Sequence, residues 1–397
     1  MLGSYRTILR LPGAWQFTTA GFVARLPISM FGLGIVLLVA DRTGSYGLAG
    51  TVSAAQVVAA AAVSPFGARL ADRYGQARVV PLLALLFCLG TGLMILAVES
   101  DQPTPLPHAA AMLAGAMMPQ IGSNVRARWR HIITERRQLD TAFALEAVVD
   151  EMIFVVGPVL VTVLATQVSP VVALETTAGL CLVGSLWLAS QRATQPDVTG
   201  EEHGARVREP LGWRLLTPLV IVMVGLGGLF GGVEVVTVAY AKAAGSAAAA
   251  GWLLASMAAG SLIAGLVTGA VTLRQRPAVR VRWGATALTA SVAPLPFLPG
   301  LALVAAVLFL AGLAIAPTLV AAVSMVEQTV PPARLTEGIA WVTAGIVSGV
   351  APGSAIAGVV VDETSASTAY GVLFGFGLLA MLPAWLTLPR GRPEPAL

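Results

Sequence analysis

Residues 67–78 read Gly67-Ala68-Arg69-Leu70-Ala71-Asp72-Arg73-Tyr74-Gly75-Gln76-Ala77-Arg78, a charged, turn-forming stretch set between two apolar runs at 47–67 and 79–98. Each flanking run is about twenty residues long, enough to cross a hydrocarbon layer of about 30 Å at about 1.5 Å per helical residue. Gly75 lets the chain reverse sharply, and Asp72 can cap or pair across the ends of the helices that meet there. The stretch reads as the hairpin between two membrane-spanning helices, with its arginines left in water.

The same alternation continues in both directions. Spans are predicted at 14–40, 47–67, 79–98, 107–125, 141–165, 168–190, 214–240, 248–271, 284–298, 301–325, 338–361 and 369–389. Charged residues make up only 11% of the chain and hydrophobic residues 56%, whereas soluble domains are about one quarter charged. The runs are continuous and rich in Ala, Leu, Val and Gly, which excludes the short alternating segments of a membrane barrel. Pro294, Pro296 and Pro299 shorten the ninth run. The first is too long for a signal-peptide core and lacks a small-residue cleavage site, so it is expected to stay. The fold class is therefore an all-α integral membrane protein with twelve transmembrane helices.

Charge orients the spans. With the amino terminus inside, 21 of the 24 basic residues fall in inner segments, leaving Arg25, Arg42 and Lys242. This asymmetry predicts a multi-pass protein of the cytoplasmic (inner) membrane with both termini cytoplasmic. The outer loops carry acids such as Glu99, Asp101, Asp362 and Glu363. The polar segment from Gln191 to Gly212 contains Pro196, Gly200, Gly204 and Pro210 and divides the spans six and six. It reads as a cytoplasmic linker, 191–213, between an N-terminal bundle, 1–190, and a C-terminal bundle, 214–397. Leu145-Glu146-Ala147 and Thr336-Glu337-Gly338, about 191 residues apart, mark a faint internal repeat of the kind that parallel transporter halves show.

Residues 67–78 also resemble the loop motif of the major facilitator superfamily, matching at Leu70, Ala71, Asp72, Arg73 and Gly75. They depart from it at Ala68, Gln76 and Ala77, while Arg78 supplies one nearby charge. The resemblance implies two six-helix bundles and secondary transport by alternating access, without a cofactor. It also implies that Arg69, Asp72, Arg73, Gly75 and Arg78 form a conformational latch for the outward-facing state. The plainer alternative is a positive-inside loop with a helix-stop acid. The second copy, Gly269 to Arg282, keeps basic residues but has no Asp. Gly157-Pro158 resembles the core of the motif typical of drug/proton antiporters. Val161 and Thr162 stand where its paired glycines would follow, and Met117 stands where an Arg is expected. Ala24-Arg25-Leu26-Pro27 with Met30, and Arg126-Ala127-Arg128-Trp129, are similar to an actinobacterial group of the superfamily.

Charges inside spans are costly unless they meet water or a partner. Arg25 lies about 15 Å from the cytoplasmic end of the first span, and Pro27 weakens the local hydrogen-bond ladder. Glu146 and Asp150 in the fifth span are one turn apart on one face, with Glu151 rotated by about 100°. By the same rise Asp150 reaches the depth of Arg25, so an Arg25–Asp150 pair is predicted. One reading is a structural ion pair, with Glu146 an acid in the first turns of the helix. The other is that crowded carboxylates cannot all stay ionised, so that one takes up and releases a proton as access alternates. Glu175 and Glu234 are placed in the outer third of their spans. The glycines around Glu234 suit bending or close packing, and helix bends are expected at Pro27, Gly157 and Pro158. Gln56, Gln120, Asn124 and Trp341 are further candidates for lining a cavity.

Several function classes drop out. Lys242 is the only lysine and there is no phosphate-binding loop, which argues against an ATP-driven pump. His108, His131, His203, Cys88 and Cys181 form no metal-binding spacing, and no catalytic signature is present. The arginines from Arg126 to Arg137 fit a loop facing anionic lipid better than a nucleic-acid surface. The sequence thus predicts a monomeric transporter of a small organic molecule, coupled to protons, with export favoured over uptake. The alternative within transport is proton-linked or passive uptake of a nutrient, and a membrane sensor or assembly component without flux is the alternative from another class.

Overall fold

The computed structural model describes residues 2–196, 212–270, 275–330 and 335–388. Residues 197–211, which hold most of the predicted linker, lie outside the described residues, as do Arg274 and Arg334. Among the described residues the secondary structure is helical, without strands.

The chain divides into two compact units, Met1–Gly204 and Ala205–Leu397. The first contains α1 (Leu2–Leu9), α2 (Ala14–Arg25), α3 (Pro27–Thr43), α4 (Tyr46–Tyr74), α5 (Gln76–Glu99), α6 (Pro105–Met117), α7 (Ile121–Ile132), α8 (Arg136–Gln167) and α9 (Pro170–Ser190), followed by a short 3-10 turn at Arg192–Thr194. The second contains α10 (Trp213–Ala243), α11 (Ala249–Ala270), α12 (Pro277–Val292), α13 (Leu301–Thr329), α14 (Leu335–Glu363) and α15 (Ala366–Leu386).

Ten membrane-length apolar stretches are present among the described residues, the first being Ala14–Thr43, which joins α2 to α3. The fourth and ninth predicted spans are the exceptions. The fourth is not one helix over 107–125 but two, because Pro119 pushes Met118 into an extended conformation and ends α6. The ninth stops at Val292, and a 3-10 turn at Leu295–Phe297 follows Pro294. The prolines that weaken this span in the sequence are the ones that end it.

Local signals fix the ends. Ser45, Ser169 and Ser365 each accept a backbone N–H three residues on, at 3.1 Å, and so start α4, α9 and α15. Gly75 joins α4 to α5 with φ +89°, a conformation that a side chain resists. Pro27 occupies the first turn of α3, where its missing N–H leaves a break after Arg25.

Packing in each unit depends on small residues. In the first, α3 packs against α4, α8 and α9, and Phe31 meets Phe87 edge to face at 4.9 Å. In the second, α10 lies against α14 and α15. A side chain at Gly227 would strike the Ile346 carbonyl, and one at Gly231 the Val350 carbonyl. The glycines around Glu234 therefore bring two helix backbones together.

Candidate functional site

The break at Leu26 places Arg25 in the last turn of α2, with no side-chain surface exposed. Its Nε donates to the Gly21 carbonyl at 3.0 Å, which fixes the guanidinium plane. One remaining nitrogen reaches Glu146 Oε2 at 2.6 Å and the other Asp150 Oδ1 at 2.8 Å. Because the two acids are one turn apart on α8, a single planar fork spans both.

Each carboxylate has a second donor. Trp129 Nε1–H donates to Glu146 Oε1 at 2.8 Å, and the indole is buried edge-on against Phe17 at 4.7 Å. Arg126 donates to Asp150 Oδ2 at 2.6 Å. Burial splits the cluster: the Arg25 and Glu146 side chains are fully enclosed, whereas those of Asp150 and Arg126 are 35% and 37% exposed. One half is locked and the other faces accessible space.

The Arg25–Asp150 pair is as the depth arithmetic predicts. Glu146 differs from the expectation, because α8 begins at Arg136 and the acid lies ten residues in, beyond the first turns. It is the most enclosed acid of the cluster, not an acid placed by the helix dipole. Arg126 and Trp129, which the sequence reading left in a lipid-facing loop, sit on one face of α7 at a spacing of three. That spacing, with Gly122 one turn earlier, is the signal that could have found them. A Cβ at Gly122 would lie 3.3 Å from an Arg126 nitrogen, so the glycine leaves room for the guanidinium.

Glu151 is half-buried on the neighbouring face of α8. Gln120 precedes α7, and its carbonyl accepts from Ser123 Oγ and Asn124 Nδ2 at 2.8 and 2.9 Å. Glu234 is half-buried on α10 in the second unit, Glu175 is exposed, and Trp341 stacks edge-on with Trp213 at 5.2 Å. α8 runs unbroken through Gly157-Pro158. Ser29 Oγ, which lies against Gly157, donates to the Ile153 carbonyl at 2.8 Å.

In the 67–78 hairpin, Arg69, Asp72, Arg73 and Arg78 are exposed, and Arg69 and Arg73 lie 5.7 and 5.4 Å over the rings of Phe66 and Tyr74. Directly after Gly75, Gln76 turns inward and accepts from Arg128 Nε at 2.8 Å. Arg128 is a second fully buried arginine, and it also donates to the Gln191 carbonyl and Thr194 Oγ1, both at 2.8 Å. It lies beyond the predicted fourth span, and burial pulls its guanidinium down to about 10, still charged at neutral pH.

The sequence profile of the Major Facilitator Superfamily matches residues 17–303 and 235–397. The chain belongs to that superfamily. A curated relative from Sinorhizobium fredii (strain NBRC 101917 / NGR234), an uncharacterized MFS-type transporter named y4rN, is 27% identical over 189 residues, 47% of this chain and 46% of the relative. The match spans about half the length of that relative. Among solved structures, the nucleoside transporter NupG is similar with a TM-score of 0.70 at 15% identity, over 94% of this chain and 98% of NupG. An auto-inhibited POT family peptide transporter gives 0.69 at 11% identity, over 96% and 99%. At such identities the likeness speaks for the fold alone. The chain is thus a multi-pass membrane protein of the major facilitator superfamily.

Proposed function

We propose that this major facilitator protein is a proton-coupled secondary transporter of a small organic molecule, working by alternating access, with Asp150 as the group that takes up and releases the proton. The observation that carries this reading is the split burial of one ion cluster. Glu146 is enclosed between Arg25 and Trp129, while Asp150, sharing the same arginine, stays partly open. A proton reaching Asp150 removes one negative charge and leaves the Arg25–Glu146 pair whole. The cluster can therefore change charge without leaving an enclosed carboxylate unpaired.

The basic residues of the predicted inner segments, Arg126 and Arg128 aside, support a cytoplasmic-membrane location with both termini inside. We further propose that the bundles 1–190 and 214–397 are joined by the linker 191–213, that the protein acts as a monomer, and that the 67–78 hairpin works as the latch. A second reading, export in exchange for protons, rests on family analogy. Proteoliposomes test the coupling. Asp150→Asn should abolish movement driven by a pH gradient and leave counterflow exchange intact. Unchanged driven movement would reject Asp150 as the coupling group, and ligand binding without flux in the unaltered protein would reject transport.

A further inference from the structure

The open half of the cluster contains an arginine as well as an acid. Arg126 holds Asp150 through Oδ2 at 2.6 Å, the only ion pair of Arg126 among the described residues. Asp150 is also held by Arg25. The charged groups facing Asp150 are thus Arg25 from α2 and Arg126 from α7, with Glu146 one turn away on α8 and Glu151 beside it. The α3 charges, Asp41 and Arg42, lie at its far end, and Glu175 is exposed near the start of α9. Arg130, one turn beyond Arg126, lies 5.9 Å over the Phe143 ring, and Arg128 is held by Gln76, Gln191 and Thr194.

Two arginines and two acids leave the four-residue cluster neutral. With a proton on Asp150 its net charge is +1, and the free charge is the half-exposed guanidinium of Arg126. A cationic ligand would have to displace Arg126 and then sit between two arginines. An anion meets no such obstacle. The group most readily accepted is the one already there, a carboxylate matched to the flat guanidinium fork.

We infer that Arg126 is the binding site for a carboxylate-bearing small-molecule substrate, and that substrate and proton load the site together. This rests on Asp150 being the proton-accepting group. A proton on Asp150 releases Arg126 to the substrate. A substrate carboxylate on Arg126 releases Asp150 to the proton. By thermodynamic reciprocity each event strengthens the other by the same factor. Co-loading carries both in one direction, so the protein is a proton–anion symporter, and the exchange reading is set aside.

Binding to the full-length protein in phosphatidylcholine nanodiscs tests this with benzoate, succinate and an N-acetylated amino acid as probes, each beside its uncharged amide. At least one carboxylate should bind more than tenfold tighter to Asp150→Asn, which mimics the protonated acid, than to the unaltered protein, with its amide inert. This gain cannot come from misfolding. Arg126→Gln should lose the probe. Equal binding of acid and amide, retention by a folded Arg126→Gln variant, or no carboxylate bound by either the unaltered protein or Asp150→Asn would overturn the assignment. Inorganic phosphate, or phosphatidylglycerol in the nanodisc, competing at Arg126 in place of every carboxylate would also overturn it. PH-gradient-driven flux of an uncharged compound that is lost in Asp150→Asn would reject the carboxylate site and leave proton coupling standing.

Discussion

Arg25 and Glu146 form a 2.6 Å ion pair in which neither side chain has any exposed surface. Such a pair is stable only while both partners remain, because removing one leaves the other charged and out of water. Arg25→Met should therefore lower stability by about 3–5 kcal/mol, seen as a lower melting temperature or loss of monodisperse protein in detergent. Combining it with Glu146→Leu should recover much of that loss. If Arg25→Met melts like the unaltered protein, the pair does not hold the first unit together.

Trp129 links the locked carboxylate to the aromatic core. Trp129→Phe would keep a ring near Phe17 but delete the Nε1–H donor to Glu146. A hydrogen bond to a charged group contributes about 1.5–3 kcal/mol, and the variant should lose an amount in that range by thermal unfolding. A loss below about 0.5 kcal/mol would mean that Glu146 finds another donor.

Two glycines of one helix hairpin should respond in opposite directions to alanine. Gly75 has φ +89°, so Gly75→Ala should cost about 1–3 kcal/mol. Gly92, inside α5, has nothing within 4 Å of an added Cβ. Gly92→Ala should stabilise by about 0.5–1 kcal/mol. Parallel melting curves check the contrast, and equal shifts would refute it.

Arg128 ties the start of α5 to the segment after α9 through Gln76, the Gln191 carbonyl and Thr194. Arg128→Met should fill the space but release the Arg192–Thr194 turn, so limited proteolysis should cut faster between residues 190 and 213. An unchanged cleavage rate would show that the turn is held by other contacts.

The spans were legible because long uncharged runs need no knowledge of partners. Gly75 and the prolines after Val292 were legible because their constraint is local. Depth along a helix, counted by rise per residue, was enough to bring Arg25 and Asp150 together. Rotation about the helix axis was not readable in the same way, since it is set by neighbouring helices. Arg126, Arg128 and Trp129 therefore looked like parts of a basic loop, when α7 turns one arginine toward Asp150 and buries the next. The break at Pro119 was hidden because the apolar run continues on both sides of it.

The account rests on Asp150 being the group that takes up the transported proton. Infrared difference spectroscopy of the membrane-reconstituted protein, recorded on acidification, reads carboxyl protonation without knowledge of the substrate. A protonated-carboxyl band that rises on acidification, disappears in Asp150→Asn and persists in Trp129→Phe is the predicted result. A band that survives in Asp150→Asn would contradict it.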